Sequence, residues 1–441
     1  MIRVSNIAPM AVLFLCFMNV WRAYFLDSLN ILVFITLVIF GAAAIRIALL
    51  KEVRIPNFDV VIAFTLILLM IGFIANYKGG DVLKDIFLYH LTALLFLPFL
   101  ILLAGTDPKK TVLIVFSVIF WVDSFVIVIE LMDGLVGLDV HRVGLFNWYI
   151  EINDPGRFLQ LKLNSASFYG DLPAVLGLRG YPNYSAPLFT ASFVFLLAVK
   201  YSEKVVSLKD KSKQILFFAF GSCLVLVLGV KTHFVTLAIS LIFISIYLNR
   251  VMFRHAFIGC LLLAVFALST EVGSDRIMVL YEQLFEGGYQ AIESREGGAR
   301  VYEPGRLETI FNWKAYASFL DLSFQDFVFG ASNFLVLGQW DIFFEQKILV
   351  IGLVLGAPFV VVFLVMSSRA ILNSFKSMKM ADSKLDKGFY CGLLLAVLVL
   401  LLEVGHFGST FYYPNFQVLC YLIAVSVVCL KNIGKLSISN T

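Results

Sequence analysis

Residues 388–407 read GFYCGLLLAVLVLLLEVGHF, twenty residues in which Glu403 is the one carboxylate. A helix of about 20 mostly apolar residues crosses the hydrocarbon core of a bilayer, and this run has that length. An ionisable group inside such a helix is costly and is usually paired or functional. His406 follows Glu403 within one turn, near the end of the run. Eleven further runs of the same character lie near 8–26, 29–50, 58–76, 86–104, 111–131, 182–200, 214–230, 232–248, 255–272, 346–368 and 415–430. The pattern predicts an all-α polytopic membrane protein of about 12 transmembrane helices, forming a single integral membrane domain over 1–441.

The rest of the composition agrees. Of 441 residues, 60% are hydrophobic and 15% charged, so no water-soluble fold of this length could hide the apolar side chains. In lipid the outer surface can be apolar too. Phe is abundant, at 44 residues, and is expected on lipid-facing surfaces and in loose packing between helices. The net charge of +4 comes from scattered basic residues that form no stripe, which argues against nucleic acid as a partner. The six cysteines lie in or beside apolar runs, without metal-ligand spacing, and read as packing residues. Met1-Ile2-Arg3 leads into an apolar stretch with no small-residue cleavage site, which predicts a retained first helix.

Orientation follows from Lys and Arg. With both termini in the cytoplasm, the short inner connections carry 20 of the 34 basic residues, as the positive-inside rule requires. Both long connections, 132–181 and 273–345, then fall on the outer side as two large periplasmic loops. The cytoplasmic connections leave no room for a catalytic domain, so chemistry is expected at the outer membrane–water boundary. Within the second loop, Ile277, Leu280, Leu284 and Ile292 recur near helical spacing, as do Leu307, Ile310, Phe311, Tyr316, Phe319 and Leu320. Residues 293–300, ESREGGAR, form a polar, Gly-rich connection between these two expected helices.

Three outer cations stand at expected helix starts. Arg179 precedes the helix near Pro182, Lys231 opens the helix near 232 with Thr232 as N-cap, and Arg306 follows Glu303-Pro304-Gly305. A cation at the positive end of a helix dipole is unfavourable by a few tenths to about 1 kcal/mol. A neighbouring carboxylate or snorkelling to headgroups would satisfy each one singly. The three together point to an anion, because free N–H groups at a helix start plus an Arg fork make a phosphate site.

Asp341 and Glu345 lie one turn apart at the expected mouth of the helix continuing through Gly352, and either could act as a general base. They also suit a solvated helix start. His406 and His233 are further candidate bases, though a His at a membrane boundary is commonly structural. Arg142 and Arg157, with His141, are candidates for sugar or phosphate contact. The loop aromatics Trp148, Tyr149, Phe158, Tyr169, Tyr181 and Tyr184 suit either sugar stacking or an interfacial belt. There is no P-loop, no GxGxxG after a strand, no GxSxG, no DxD pair in the loops and no His-rich metal cluster. These absences weigh against an ATP-driven pump, a metallohydrolase and sugar-nucleotide chemistry.

Four features in order resemble the O-antigen polymerase and O-antigen ligase family. They are Arg179-Gly180-Tyr181-Pro182-Asn183 before a helix, Lys231-Thr232 between tightly joined helices, Arg306 with Trp313 and Phe329-Gly330, and Asp341 to Glu345 followed by Gly352. The resemblance covers chiefly 175–368. It implies a metal-independent, inverting glycosyltransferase with a glycosyltransferase-C-like membrane architecture and no cofactor. Its donor would be an undecaprenyl-diphosphate-linked oligosaccharide, its diphosphate held by Arg179, Lys231 and Arg306. Arg142, Arg157, Tyr181 and Trp313 would contact glycan. Membrane lipids, a flippase and a chain-length regulator would be its partners. Two departures stand out: 273–345 contains no His, which favours polymerase over ligase, and Lys231 replaces the usual Arg. The rival expectations are a ligase acting on lipid A-core and a glycan transporter, the latter disfavoured by the lack of paired similar halves.

Overall fold

The computed structural model describes residues 6–17, 28–49, 55–77, 82–136, 175, 177–178, 182–203, 207–228, 231–248, 254, 257, 290–293, 300–303, 322–330, 352, 354–406 and 414–438. Among these, five helices are long and apolar enough to cross a membrane: Asn57–Ala75, Lys109–Met132, Ser185–Ser202, Ala357–Met380 and Lys384–Leu402. Shorter apolar helices of 10–17 residues accompany them. Large apolar side chains face outward along several of these helices, including Phe34, Leu37, Val61, Phe64, Trp121, Phe125, Val235 and Ile239. In water such a surface would be untenable, whereas lipid is its natural solvent. The chain is a helical membrane protein.

The helices are α1 (Ile7–Cys16), α2 (Ser28–Leu49), α3 (Asn57–Ala75), α4 (Val82–Asp85), α5 (Leu91–Leu94), α6 (Phe96–Leu103) and α7 (Lys109–Val136). Then follow α8 (Pro182–Ser202), α9 (Leu208–Val227), α10 (Lys231–Tyr247), α11 (Phe324–Phe329), α12 (Ala357–Met380), α13 (Lys384–His406) and α14 (Pro414–Ile438). Helix α8 lies at the centre, with α7, α9, α10 and α13 packed on it, while α14 packs on α1, α6, α12 and α13.

Two glycines one turn apart explain the tightest of these contacts. On α13, a Cβ at Gly388 would stand 2.9 Å from the Ala198 carbonyl oxygen, and one at Gly392 would stand 2.8 Å from that of Phe195. Gly388 and Gly392 form a GxxxG face, which lets backbones meet where lipid offers no hydrophobic drive for helix association. On the other side of α8, rings interlock. Phe116 stacks on Phe195 at 4.7 Å and Phe120 on Phe189 at 5.4 Å between ring centres. Gly221 of α9 meets the Phe193 ring. Phe thus packs between helices as well as facing outward, as expected, though the packing is close and not loose.

Several predicted spans correspond closely to helices: 29–50, 58–76, 111–131, 182–200, 388–407 and 415–430. Others are corrected. The run 86–104 is not one helix, since a π-helical turn, Ile86–His90, precedes α5 and α6. The Thr92 hydroxyl donates to the Phe87 carbonyl at 3.2 Å, and Pro98 removes the bond that would close on Leu94, so the ladder is interrupted twice. The run 346–368 is broken at Gly356, which has φ +90°, and the spanning helix begins at Ala357 and runs to Met380. Its last turns carry Ser367, Asn373, Ser374 and Ser377, which are buried against neighbouring helices, so a hydropathy scan stops too early. Helix α10 begins at Lys231, so Thr232 lies inside the first turn and is not the N-cap.

In the second loop, Ile292 belongs to a strand and not to a helix. Strands β1 (Gln290–Glu293) and β2 (Arg300–Glu303) pair antiparallel, with Ile292 opposite Val301 and Glu293 opposite Arg300. The Gly-rich connection survives as the link between strands. The run 255–272 and the second amphipathic pattern, 307–320, lie outside the described residues apart from Phe257.

Polar anchoring gathers at one end of the bundle. Lys109, at the start of α7, pairs with Asp386 at 2.6 Å, and Ser383 caps α13 by bonding Asp386. Arg46 donates to the Ala104 carbonyl at 2.5 Å. Gln214 of α9 donates to the Lys200 carbonyl at the end of α8 at 2.7 Å, and Ser207 with Asp210 forms a capping box on α9. Arg369 of α12 pairs with the buried Asp59 of α3 and lies over the Phe58 ring at 4.7 Å.

Two predictions follow from this packing. Gly392→Ala should destabilise the protein by about 1–3 kcal/mol, the usual cost of overpacking. Gly41→Ala, where an added Cβ meets nothing within 4 Å, should be neutral or slightly stabilising; unfolding in mixed detergent–SDS micelles measures both. Arg369→Met uncovers a buried carboxylate and should cost about 3–5 kcal/mol. Lys109→Met breaks a pair whose side chains are about a third exposed and should cost about 1 kcal/mol or less. Equal losses in these last two variants would contradict the burial difference.

Candidate functional site

At the opposite end from the ion pairs, the chain brings together the end of α7, the start of α8 and the link between α9 and α10. Glu130, 2% exposed near the end of α7, accepts a 2.7 Å hydrogen bond from the Gly177 backbone N–H. Gly177 has φ +71°, a left-handed conformation that only glycine adopts without strain. A Cβ there would stand 2.6 Å from Ser185 Oγ, in the first turn of α8, and 3.6 Å from Leu228 Cδ2, which caps α9. Val175 and Leu178, on either side of Gly177, are buried. The segment entering α8 is therefore packed into the bundle and held by a buried carboxylate.

Helices α8 and α10 start at this same end and pack against each other. Their N-termini carry partial positive charge, and each first turn has backbone N–H groups without helical partners. Such an end attracts anions. Buried polar side chains line the same helices: Asp123 and Ser124 on α7, and His233, Thr236 and Ser240 on α10. Asp123 and Glu130 are seven residues apart and share a helix face. The burial of His233, at 2% exposure, suits a core residue better than an exposed base.

A second polar junction roots the later loop. The Asn76 side-chain amide, at the end of α3, donates to Asp326 of α11 at 3.0 Å, and Ser323 donates to the same carboxylate at 2.7 Å. The Phe329 ring occupies the space beside Gly72, so a Cβ on Gly72 would collide with it. Gly330 and Gly356 cross backbone to backbone: a Cβ on Gly330 would stand 2.2 Å from the Val354 oxygen, and one on Gly356 2.1 Å from the Val328 oxygen. The chain between these glycines, which carries Asp341 and Glu345, thus leaves and re-enters at one point. Beside this junction, the His90 ring at the end of the π turn packs tilted against the Phe73 ring, with centres 4.5 Å apart.

The sequence-predicted residues stand as follows. Lys231 is the first residue of α10 and His406 the last of α13, the end of a helix at which a protonated imidazole is favoured. Their side chains lie outside the described residues, as does that of Glu403. Arg179, two residues beyond Gly177, lies outside the described residues, as do Arg306, Asp341, Glu345, Arg142, Arg157, Tyr181 and Trp313. The spanning helix starts at Ala357, and whether Asp341 and Glu345 head the helical residues Gly352, Val354 and Leu355 before it lies outside the described residues. Sequence reasoning missed Glu130 and Asp123. Both were visible as carboxylates inside the apolar run 111–131, the kind of residue that usually marks function in a membrane helix. Gly177 carried no such signal, because its role comes from a contact between distant segments.

Comparison with models of known protein families gives no match, and comparison with the sequences of curated proteins gives none either.

Proposed function

We propose that this chain is a polysaccharide polymerase of the bacterial inner membrane, of the O-antigen polymerase kind, with about twelve spans and both termini in the cytoplasm. In this reading the loops 132–181 and 273–345 are periplasmic and carry the chemistry. The donor is a glycan on undecaprenyl diphosphate, and the acceptor is a hydroxyl on the terminal sugar of a second lipid-linked repeat unit. The bond from the donor anomeric carbon to the diphosphate oxygen breaks, and a bond from that carbon to the acceptor oxygen forms with inversion. The acceptor proton passes to a base, for which Glu345, Asp341 and His406 are the candidates. Undecaprenyl diphosphate leaves with the electron pair.

One observation carries the reading. The segment leading to Arg179 touches the start of α8 and the residue that closes α9, three positions before Lys231. Two sequence-predicted cation positions thus belong to segments that meet at one end of the bundle, where two helix N-termini also lie. A leaving diphosphate accumulates negative charge as the glycosidic bond breaks. Preorganised donors and cations aimed at that charge lower the barrier without metal or cofactor. Arg179, Lys231 and Arg306 are the cations proposed to face that charge.

Arg179→Ala and Arg306→Ala should each lower chain lengthening by about 100-fold or more, with Arg306→Lys intermediate because the planar fork is lost. The readout is the length ladder of lipid-linked glycan made by membranes containing equal amounts of each variant; normal ladders from both alanine variants would remove the diphosphate site. Alkaline phosphatase fused after residues 160 or 300 should be active, and fused after 205 or 383 inactive, which tests the proposed sidedness.

A further inference from the structure

We propose that the corner where α7, α9 and α13 begin, around the end of α8, binds the headgroups of anionic phospholipids. Three contacts build this corner. The Lys109 ammonium at the start of α7 meets Asp386, in the first turn of α13, at 2.6 Å. The Gln214 amide of α9 donates to the Lys200 carbonyl of α8 at 2.7 Å. Gly388 of α13 lies against Ser202, the last residue of α8, so closely that an added Cβ would collide with the hydroxyl. Three helix N-termini thus gather here, and each carries partial positive charge. The inference goes beyond the proposed reaction and does not rest on it.

Side chains add to that charge. Among the described residues of 105–110, 200–213 and 381–387, eight lysines stand against five carboxylates, so the corner is net positive. The carboxylates are largely occupied. Asp386 faces Lys109 and Ser383, Asp210 closes the capping box with Ser207, Glu203 pairs with Lys200 at 3.2 Å, and Asp107 accepts the Lys109 backbone N–H at 3.2 Å. Asp382 adds one exposed charge. The pairs and caps that lock this end therefore use up its acids and leave its bases over. Lys110, Lys209, Lys211, Lys213 and Lys384 are exposed and Lys387 is half-buried, and among the described residues none of the six forms an ion pair.

Depth identifies the partner. The outward side chains of α9 turn apolar at Leu216, three residues after Lys213, which is about 4.5 Å along the axis. On α7 the change comes at Ile114, four residues after Lys110, about 6 Å along the axis. The headgroup layer is roughly 5–8 Å thick on each side of the hydrocarbon. Both amines therefore border the lipid-facing band at headgroup depth, with their stems free to lie along its edge. Lysines clustered at the end of spanning helices draw anionic lipid, each one adding to the affinity. Four elements contribute here, so one headgroup can be held from several sides.

The test uses the full chain purified in mild detergent. Native mass spectrometry counts the lipids retained after titration with phosphatidylglycerol or phosphatidylethanolamine. Phosphatidylglycerol should be retained about tenfold better, and the preference should fall as salt rises. Combining Lys110→Gln, Lys209→Gln, Lys213→Gln and Lys384→Gln should abolish the preference, while the four corresponding Lys→Arg changes should keep it. Should the combined variant fail to fold, the pairs Lys209→Gln with Lys213→Gln and Lys110→Gln with Lys384→Gln replace it, each lowering the preference about threefold. Equal retention of both lipids by wild type, or a preference that survives the glutamine changes, would overturn the site. Inorganic phosphate at matched concentration should not displace the lipid; displacement would reduce the corner to a site for free ions. Tighter binding of an acidic peptide or of single-stranded DNA to the same lysines would assign it to a partner from water and overturn the lipid.

Discussion

The close crossing of α8 and α13 fixes the frame on which the rest is built. In lipid, apolar surface gains nothing by leaving its solvent, so helices are held by contact and by hydrogen bonds. Gly388 and Gly392 bring the α13 backbone against the carbonyls of Ala198 and Phe195. With one face of α8 taken by that contact, its other faces receive the rings of Phe116, Phe120 and Phe217, and most of α8 from Ser185 to Ser202 is buried. A helix so confined cannot shift along its axis. The position of its first turn, where Ser185 meets Gly177, is therefore set by packing far from that turn.

The two ends of the bundle use polarity differently. At the Lys109 end, charges are paired across helices or spent on capping: Lys109 with Asp386, Arg369 with Asp59, Ser207 with Asp210. These groups join short connections and lock neighbouring helices together. At the Glu130 end, by contrast, buried carboxylates bond to loop segments, with Glu130 holding Gly177 and Asp326 holding Asn76. The first long loop is thus rooted by a carboxylate of the bundle, Glu130, and the second by its own Asp326 on Asn76 of the bundle. An anchored root gives a loop a defined exit from the bundle.

Much of the fold was legible in the sequence, because a spanning helix announces itself by an apolar run of the right length. What stayed hidden has physical causes. The break at Gly356 is locked by a backbone crossing with Val328 and Gly330, and its local signal, Gly356 followed by Pro358 in the first turn, is masked in a hydropathy scan by the apolar residues around it. The π turn before Leu91 has the Thr92 hydroxyl bonded to its Phe87 carbonyl, a contact that an otherwise apolar run does not announce. Helix α12 continues past its apolar part because its Ser and Asn face is buried among helices. The strand pair at 290–303 looked like the end of an amphipathic helix, since Ile292 fits both periods over so short a stretch. As for the site, the starts of α8 near Arg179 and of α10 at Lys231 were legible in the sequence, while Arg306 lies outside the described residues. Glu130 was equally legible as a carboxylate in lipid, but its partner, a backbone N–H forty-seven residues away, was not.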